Sequence, residues 1–250
     1  MQPITAIVIT LNEEDNIRPC IESLQRVCDE IIVVDSGSDD KTVEIAESLG
    51  ATVYHQPYLG DGPQKAFGVP YARNDWILSI DADERLDEDM VRDLEGLDMN
   101  ATDFDSFAFR RKSFVGDTWI KVWYPDYLVR LYNRQTAGFE PVRGHAKVSG
   151  NNTKRLHSHI IHYSYRNYRE VVQRIDRFAA RGASVLYEQG HRPNAWSPLL
   201  HGLGAFLKTY IAKKGILHGL PGLNIAVVSA FSSYIKYVML QELYANGGQG

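Results

Sequence analysis

Three times in its first 84 residues the chain lays down a short apolar run and ends it on a polar cluster. Ile4 to Thr10 leads into Leu11-Asn12-Glu13-Glu14, Ile31 to Val34 into Asp35-Ser36-Gly37-Ser38-Asp39-Asp40, and Trp76 to Ile80 into Asp81-Ala82-Asp83-Glu84. A run that is apolar at successive positions, not at alternate ones, suits a strand buried on both faces, and parallel sheets covered by helices supply that environment. The intervening segments read as those helices. Asn12 is placed to cap one running through Ile17, Ile21 and Leu24, and Val43, Ile45, Ala46 and Leu49 mark a second before the Gly50 stop. Ala51 to Tyr54 reads as a further strand. The alternation predicts an α/β chain with a mostly parallel central sheet flanked by helices.

After Asp103 the pattern changes. Phe104 to Lys112 alternates like a half-exposed strand, Gly116 to Asp126 is an aromatic loop, and Tyr127 to Tyr132 and Ile160 to Tyr165 read as strands. From Tyr168 the chain reads helical. Val172, Ile175, Phe178 and Ala179 form one apolar stripe, and Ile225, Val228, Phe231, Ile235 and Val238 another, both expected to pack on the sheet.

With 250 residues and 44% hydrophobic content the chain can bury a sizeable core, which excludes disorder and coiled coil. A net charge of −4 does not suggest a nucleic-acid partner, but it conceals a split. Residues 1–150 hold 15 Lys and Arg against 27 Asp and Glu (−12), and residues 151–250 hold 12 against 4 (+8), with six of the eight histidines. Two cysteines, Cys20 and Cys28, are too few for a disulfide framework and match no metal spacing, so a reducing compartment is expected. No secretory signal opens the sequence, and a cytoplasmic location is expected. The most apolar stretch, Ile216 to Phe231, is interrupted by His218, Pro221, Gly222 and Asn224; a helix lying on a membrane surface fits it better than a span.

In an open parallel sheet, ligands bind beyond the carboxyl ends of the strands, where the three polar clusters fall. Each cluster alone can be explained by turn and cap chemistry. Together they point further. Asp81 and Asp83, two apart at a strand end, repel one another unless a positive charge lies beside them, and a divalent cation is one such charge. Oxygen ligands suit Mg²⁺ or Mn²⁺, which complete their shells with water and substrate phosphates. The chain has neither a Walker loop nor a Gly-x-Gly-x-x-Gly turn, so a nucleotide diphosphate would be held chiefly through metal.

The three clusters, in this order and spacing, resemble the family 2 glycosyltransferases of GT-A fold. The second half is similar to one branch, the bacterial lipopolysaccharide inner-core β-1,4-glucosyltransferases, through Gly116-Asp117-Thr118-Trp119, Tyr124-Pro125-Asp126, Arg130-Leu131-Tyr132, His162-Tyr163-Ser164-Tyr165 and Lys214-Gly215-Ile216-Leu217-His218-Gly219. The resemblance spans about residues 4–243. It implies a GT-A catalytic domain over 1–165, with a nucleotide-sugar part (1–100) and an acceptor part (101–165), followed by a helical, basic extension over 166–250. It implies a UDP-sugar donor, UDP-glucose in that branch, and an acceptor heptose of lipid-linked core. It places Thr10, Asn12, Glu13 and Asp35 around base and ribose, Asp81 toward ribose and metal, Asp83 on the metal, and Lys65 within reach of the phosphates. A solvated surface lysine is the other reading of Lys65.

An inverting transfer needs a base for the acceptor hydroxyl. The family pattern sets an acidic residue beside a histidine, whereas this chain reads Val142-Arg143-Gly144-His145-Ala146, so His145 and Glu140 stand as the base candidates, with Asp126 behind them. His157, His159 and His162 alternate on one strand face. His162 is the one that would complete a metal shell, the alternative being a histidine hydrogen-bonded within the fold. Trp119, Tyr124 and Asp126 are acceptor-side candidates, the aromatic rings for stacking on sugar faces or as core. Two other functions remain open: a nucleotide-sugar-binding protein without turnover, because of Ala146, and an Asp-x-Asp phosphatase. The phosphatase class wants its pair after the first strand with a Thr nearby, and Asp81 follows the fourth. Lys208, Lys213, Lys214 and Lys236, interleaved with Phe206, Tyr210, Ile216 and Tyr237, fit a surface drawn to anionic lipid or phosphorylated core sugar at the inner membrane.

Overall fold

The computed structural model describes residues 2–99, 101–140 and 147–247. The chain divides into two compact units, one made of Met1–Lys112 with Pro125–His162, the other of Ser113–Tyr124 with Tyr163–Gly250.

The first unit begins as the sequence predicts. Strands β1 (Gln2–Thr10), β2 (Cys28–Asp35) and β3 (Thr52–His55) alternate with helices α1 (Ile17–Leu24) and α2 (Thr42–Ser48). Helix α3 (Asp61–Phe67) then leads to β4 (Trp76–Asp81). These four strands are parallel in the order β3-β2-β1-β4. β1 is central, and alternate residues feed two cores: Ile4, Ala6 and Val8 join Ile17, Ile21 and Leu24 of α1, while Ile7 joins Ile32, Val34 and Ile77 on the side of α3. Burial on both faces is why the run carries no polar alternation.

The other half of the sheet is antiparallel, so the whole is mixed and not mostly parallel. After β4 come β5 (Glu84–Leu86), α4 (Glu88–Gly96), β6 (Ser106–Val115), β7 (Thr118–Trp119) and β8 (Asp126–Asn133). Two short strands, β9 (Gly138–Phe139) and β10 (Val148–Ser149), pair with each other, and β11 (Thr153–Tyr165) returns to the main sheet. The order continues β4-β8-β6-β11-β5, with β4·β8, β8·β6 and β11·β5 antiparallel. Only Ala82 and Asp83 separate β4 from β5, yet β5 is the far edge of the sheet. The antiparallel half therefore curls until its edge meets the end of β4, and the inward side chains of β5, β6, β8 and β11 converge there.

The predicted cap at Asn12 is not observed. Asn12 adopts a left-handed conformation (φ 54°), and α1 begins after Asn16. The loops after β1 and β2 satisfy each other instead: Asn12 N donates to Ser38 Oγ (2.9 Å), Asp39 N to Asn12 Oδ1 (2.9 Å) and Glu13 N to Thr42 Oγ1 (2.8 Å).

In the second unit, α5 (Tyr168–Glu188) and α6 (Ser197–Leu207) each pack on α7 (Gly219–Ala245). The stripe that α5 buries is Val171, Ile175, Ala179 and Ala183, whereas Val172 and Phe178, expected in the core, are 52% and 53% exposed. A small core forms where Val171 and Ile225 meet Val115, Ile120 and Val122. α7 runs unbroken through Asn224, because Pro221 and Gly222 sit in its first turn, where proline lacks no needed N–H. The helical stretch Gly215–Ala245, which α7 forms with the short turn before it, is long and apolar enough to cross a bilayer by length and composition, with 17% of its 18-residue apolar window buried.

Candidate active site

The carboxyl ends of β1, β2 and β4 bring the three polar clusters side by side in the first unit: Thr10 N-terminal to one loop, Asp35 at the next, Asp81 at the third. Asp35 is fully buried and organises its own loop. Its carboxylate accepts from Gly37 N (3.0 Å), Ser38 N (3.0 Å) and Ser38 Oγ (2.5 Å) and faces His55 Nδ1 at 3.2 Å. Burial raises its pKa, and the Ser38, Gly37 and His55 hydrogen bonds outweigh that and hold it below the usual carboxylate range. Thr10 is buried, and its hydroxyl has no hydrogen-bond partner among the described residues. Glu13 accepts from Asn16 Nδ2 (2.7 Å).

Asp81 is held by two cations of the protein itself. Lys65 Nζ lies 2.7 Å from Oδ1 and Arg130 Nη2 3.0 Å from Oδ2. Lys65 is 4% exposed, so it is not a surface lysine; α3 carries it inward because Gly68 lets the helix end settle on Ile7 and Val34. Burial pushes Asp81 up, and Lys65 and Arg130 more than reverse this, leaving it far below the ordinary range. The carboxylate repulsion from which the sequence argues for a cation is thus already neutralised at Asp81 by side chains.

Sequence reasoning missed the group that completes this network. Glu84, with no exposed surface, accepts from Arg130 Nη2 (2.5 Å) and from the backbone N–H of Asp81 (3.1 Å), and Arg111 Nη1 is 3.6 Å away. Arg111 in turn binds Asp126 at 2.7 Å. Lys65, Arg111 and Arg130 thus balance Asp81, Glu84 and Asp126, a charge-neutral cluster, which is the condition for burying ions at tolerable cost. The signal lay in Arg130 itself: a cation inside the apolar run Leu128-Val129-Arg130-Leu131 needs an internal partner. Beneath the loop, Cys20 Sγ on α1 lies 3.7 Å from the Asp81 carbonyl oxygen, and burial, with Glu84, Asp83 and Asp81 nearby, pushes the thiol pKa well up.

Asp83 turns away from this network. Its Oδ2 stands 3.2 Å from His162 Nε2, on β11, and both side chains are mostly buried. A carboxylate oxygen and an imidazole nitrogen converging in this way fit a divalent ion, and these two would be its protein ligands; Asp81, whose oxygens face Lys65 and Arg130, lies beside them. A second grouping, Asp87, Asp89 and His159, has ligand atoms within 4.8 Å of one another. Its geometry has another cause: Asp87 caps α4 through Met90 N (2.8 Å) and holds His159 Nδ1 (3.0 Å), and Asp89 pairs with Arg92.

Of the remaining predicted residues, Glu140 pairs with Lys147 (3.4 Å), while His145, with Ala146, lies outside the described residues. Asp126 is engaged by Arg111. Trp119 and Tyr124 lie in the second unit, edge to face with centroids 5.4 Å apart.

A parallel half-sheet that presents three acidic loops at its strand ends and closes through a curled antiparallel half is the frame of a GT-A glycosyltransferase. The Glycosyl transferase family 2 profile matches residues 5–174, and the chain belongs to that family. An uncharacterized glycosyltransferase of Rickettsia bellii is 32% identical over 254 residues, 96% of this chain and 86% of the relative. The lipopolysaccharide core biosynthesis glycosyltransferase LpsC of Rhizobium meliloti is 42% identical over 91 residues, 34% of this chain and 33% of LpsC. Among solved structures, residues 1-349 of TarS from S. aureus share the fold at a TM-score of 0.50 and 15% identity, covering 98% of this chain and 92% of that one.

Proposed function

We propose that this family 2 glycosyltransferase is a metal-dependent, inverting hexosyltransferase that moves glucose from UDP-glucose to a heptose hydroxyl of lipopolysaccharide inner core, working at the cytoplasmic face of the inner membrane. The observation that carries the donor half is the convergence, at the strand ends, of a buried Lys65–Asp81–Arg130 cluster with the Asp83–His162 pair. The acceptor half rests on the second-half motifs and on the similarity to LpsC, whose name places it in lipopolysaccharide core biosynthesis.

On this reading Thr10, Asn12, Glu13 and Asp35 form the nucleoside pocket. The Thr10 hydroxyl, buried and without a partner among the described residues, is a ready donor or acceptor for a base or ribose edge. Asp81, its carboxylate form favoured by Lys65 and Arg130, orients the ribose and Lys65. Lys65 and Arg130, their charge balanced by Asp81 and Glu84, place fixed N–H donors beside the leaving diphosphate. Asp83 and His162 would hold Mn²⁺ or Mg²⁺, which when bound supplies charge neutralisation at the departing phosphate oxygens. Trp119 and Tyr124 offer ring faces to the acceptor sugar, with Asp126 as a hydroxyl acceptor. Glu140 or His145 takes the acceptor proton as the hydroxyl attacks in line.

UDP-glucose turnover with Mn²⁺ tests the donor half. Asp83→Ala should lower the rate by about 10²-fold or more, the scale expected when a group stabilising the developing charge is removed; undiminished turnover would overturn the metal assignment. Ala146 motivates a second reading, a nucleotide-sugar-binding protein without turnover. Saturable UDP binding with no transfer to any core acceptor would establish it. If position 146 is a lost base, Ala146→Asp should gain activity.

A further inference from the structure

The large apolar side chains of α6 point outward. Trp196, Leu199, Leu200, Leu203, Leu207 and Ile211 are between 44% and 67% exposed, and their spacing traces one helical face continuing past the end of α6. The inner face is made of small residues: Ser197, Pro198 and Gly202 are buried, and a Cβ on Gly202 would lie 3.2 Å from the Ala230 carbonyl oxygen of α7. The turn to α7 repeats the arrangement. A Cβ on Gly222 would lie 2.0 Å from the Gly215 carbonyl oxygen, so two glycines let the hairpin close, while Ile216, Leu217 and Leu220 are exposed, the last two by 72%. In water, helices bury their large apolar residues and expose polar ones; small residues inside and large ones outside is the pattern of helices solvated by lipid.

Charge selects the kind of lipid. Residues 189–241 contain no Asp or Glu and five Lys or Arg, of which Lys208, Lys213 and Lys214 are exposed around the apolar face. The same cations oppose self-association through this face and favour an anionic surface. Spanning is disfavoured by α5, which packs along α7: Gly182 abuts the Lys236 stem, and Tyr187 stacks at a tilt on Tyr244. α5 carries seven charged residues, and a membrane-crossing α7 would draw them into hydrocarbon.

We propose that the α6–α7 hairpin is a monotopic anchor, which lays the outer face of α6 and the turn at 214–220 into the headgroup boundary of an anionic bilayer without crossing it. This deepens the lipid-linked acceptor reading, but vesicle binding is measured apart from transfer, so either can fail alone. The full chain is co-sedimented with phosphatidylcholine vesicles with and without phosphatidylglycerol. Binding should require the anionic lipid and weaken with salt. Leu203→Glu with Leu217→Glu should lower it by about tenfold or more, and Lys213→Glu with Lys214→Glu should remove most of the salt dependence. Should the leucine variants fail to fold, brominated-lipid quenching decides: wild-type emission is quenched, and Trp196→Phe loses most of the quenching. Equal binding by all variants, or an absence of Trp196 quenching, would overturn the anchor. So would resistance to alkaline carbonate extraction, which signals a span, or a vesicle-indifferent dimer that buries Trp196.

Discussion

Glu84 shows how much one side chain can carry. It anchors Arg130, fixes the Asp81 backbone and faces Arg111, all without exposed surface. Removing one member of a buried ion cluster strands the others, so Glu84→Ala should lower stability by about 3–5 kcal/mol in urea titrations. Adding Arg130→Met to it should cost less than the sum of the two single changes, because the partner left uncompensated is then gone as well. Acid should act through the same carboxylates. Asp35 and Asp81 both have folded pKa values below the unfolded value of about 3.9, so their contribution is complete above that pH and fades as pH falls further. Lys65→Met removes a cation that holds Asp81 down and should move the acid unfolding midpoint to higher pH; an unchanged midpoint would mean that Arg130 alone sets the Asp81 charge.

Among the elements, α3 is the one whose placement decides the site. Gly68 follows it, and a Cβ there would stand 2.9 Å from Ile7 Cγ2 and 3.1 Å from Val34 Cγ2. Gly68→Ala should therefore cost about 1–3 kcal/mol by overpacking and lift Lys65 from Asp81, whereas Gly96→Ala, with open space around it, should be neutral or slightly stabilising in the same thermal melts. The strands β1, β2 and β4 are legible in the sequence because burial on both faces writes them as apolar runs. So are Asp81 and Asp83, which stand on the strand end that the pattern predicts. What was not legible depends on distance along the chain. Nothing local tells that Ser38 and Thr42 serve the N–H groups of Asn12 and Glu13, and so Asn12 looked like a cap. Arg130 and Glu84 are 46 positions apart and meet only because the sheet curls. On α5, hydropathy favours Val172 and Phe178, but the close partner is another helix. Ala179 and Ala183 allow that approach, and a scale of side-chain greasiness cannot register it.

For the molecule as a whole, the proposed transfer makes opposite predictions for its two base candidates. If Glu140 takes the acceptor proton, Glu140→Gln should lower kcat by about 10²–10⁴-fold with little change in donor KM, and His145→Ala should be mild; the reverse ranking assigns His145. Steady-state transfer kinetics on a core acceptor read both. A last consequence follows from Cys20, sealed under the carboxylate loop against the Asp81 carbonyl. Its thiol is held protonated and out of reach, so an external disulfide reagent can modify it only while that part of the molecule breathes open. In a Cys28→Ala background, the labelling rate becomes a clock for that opening, and saturating UDP with Mn²⁺ should slow the clock in proportion to how firmly the nucleotide fastens the loop.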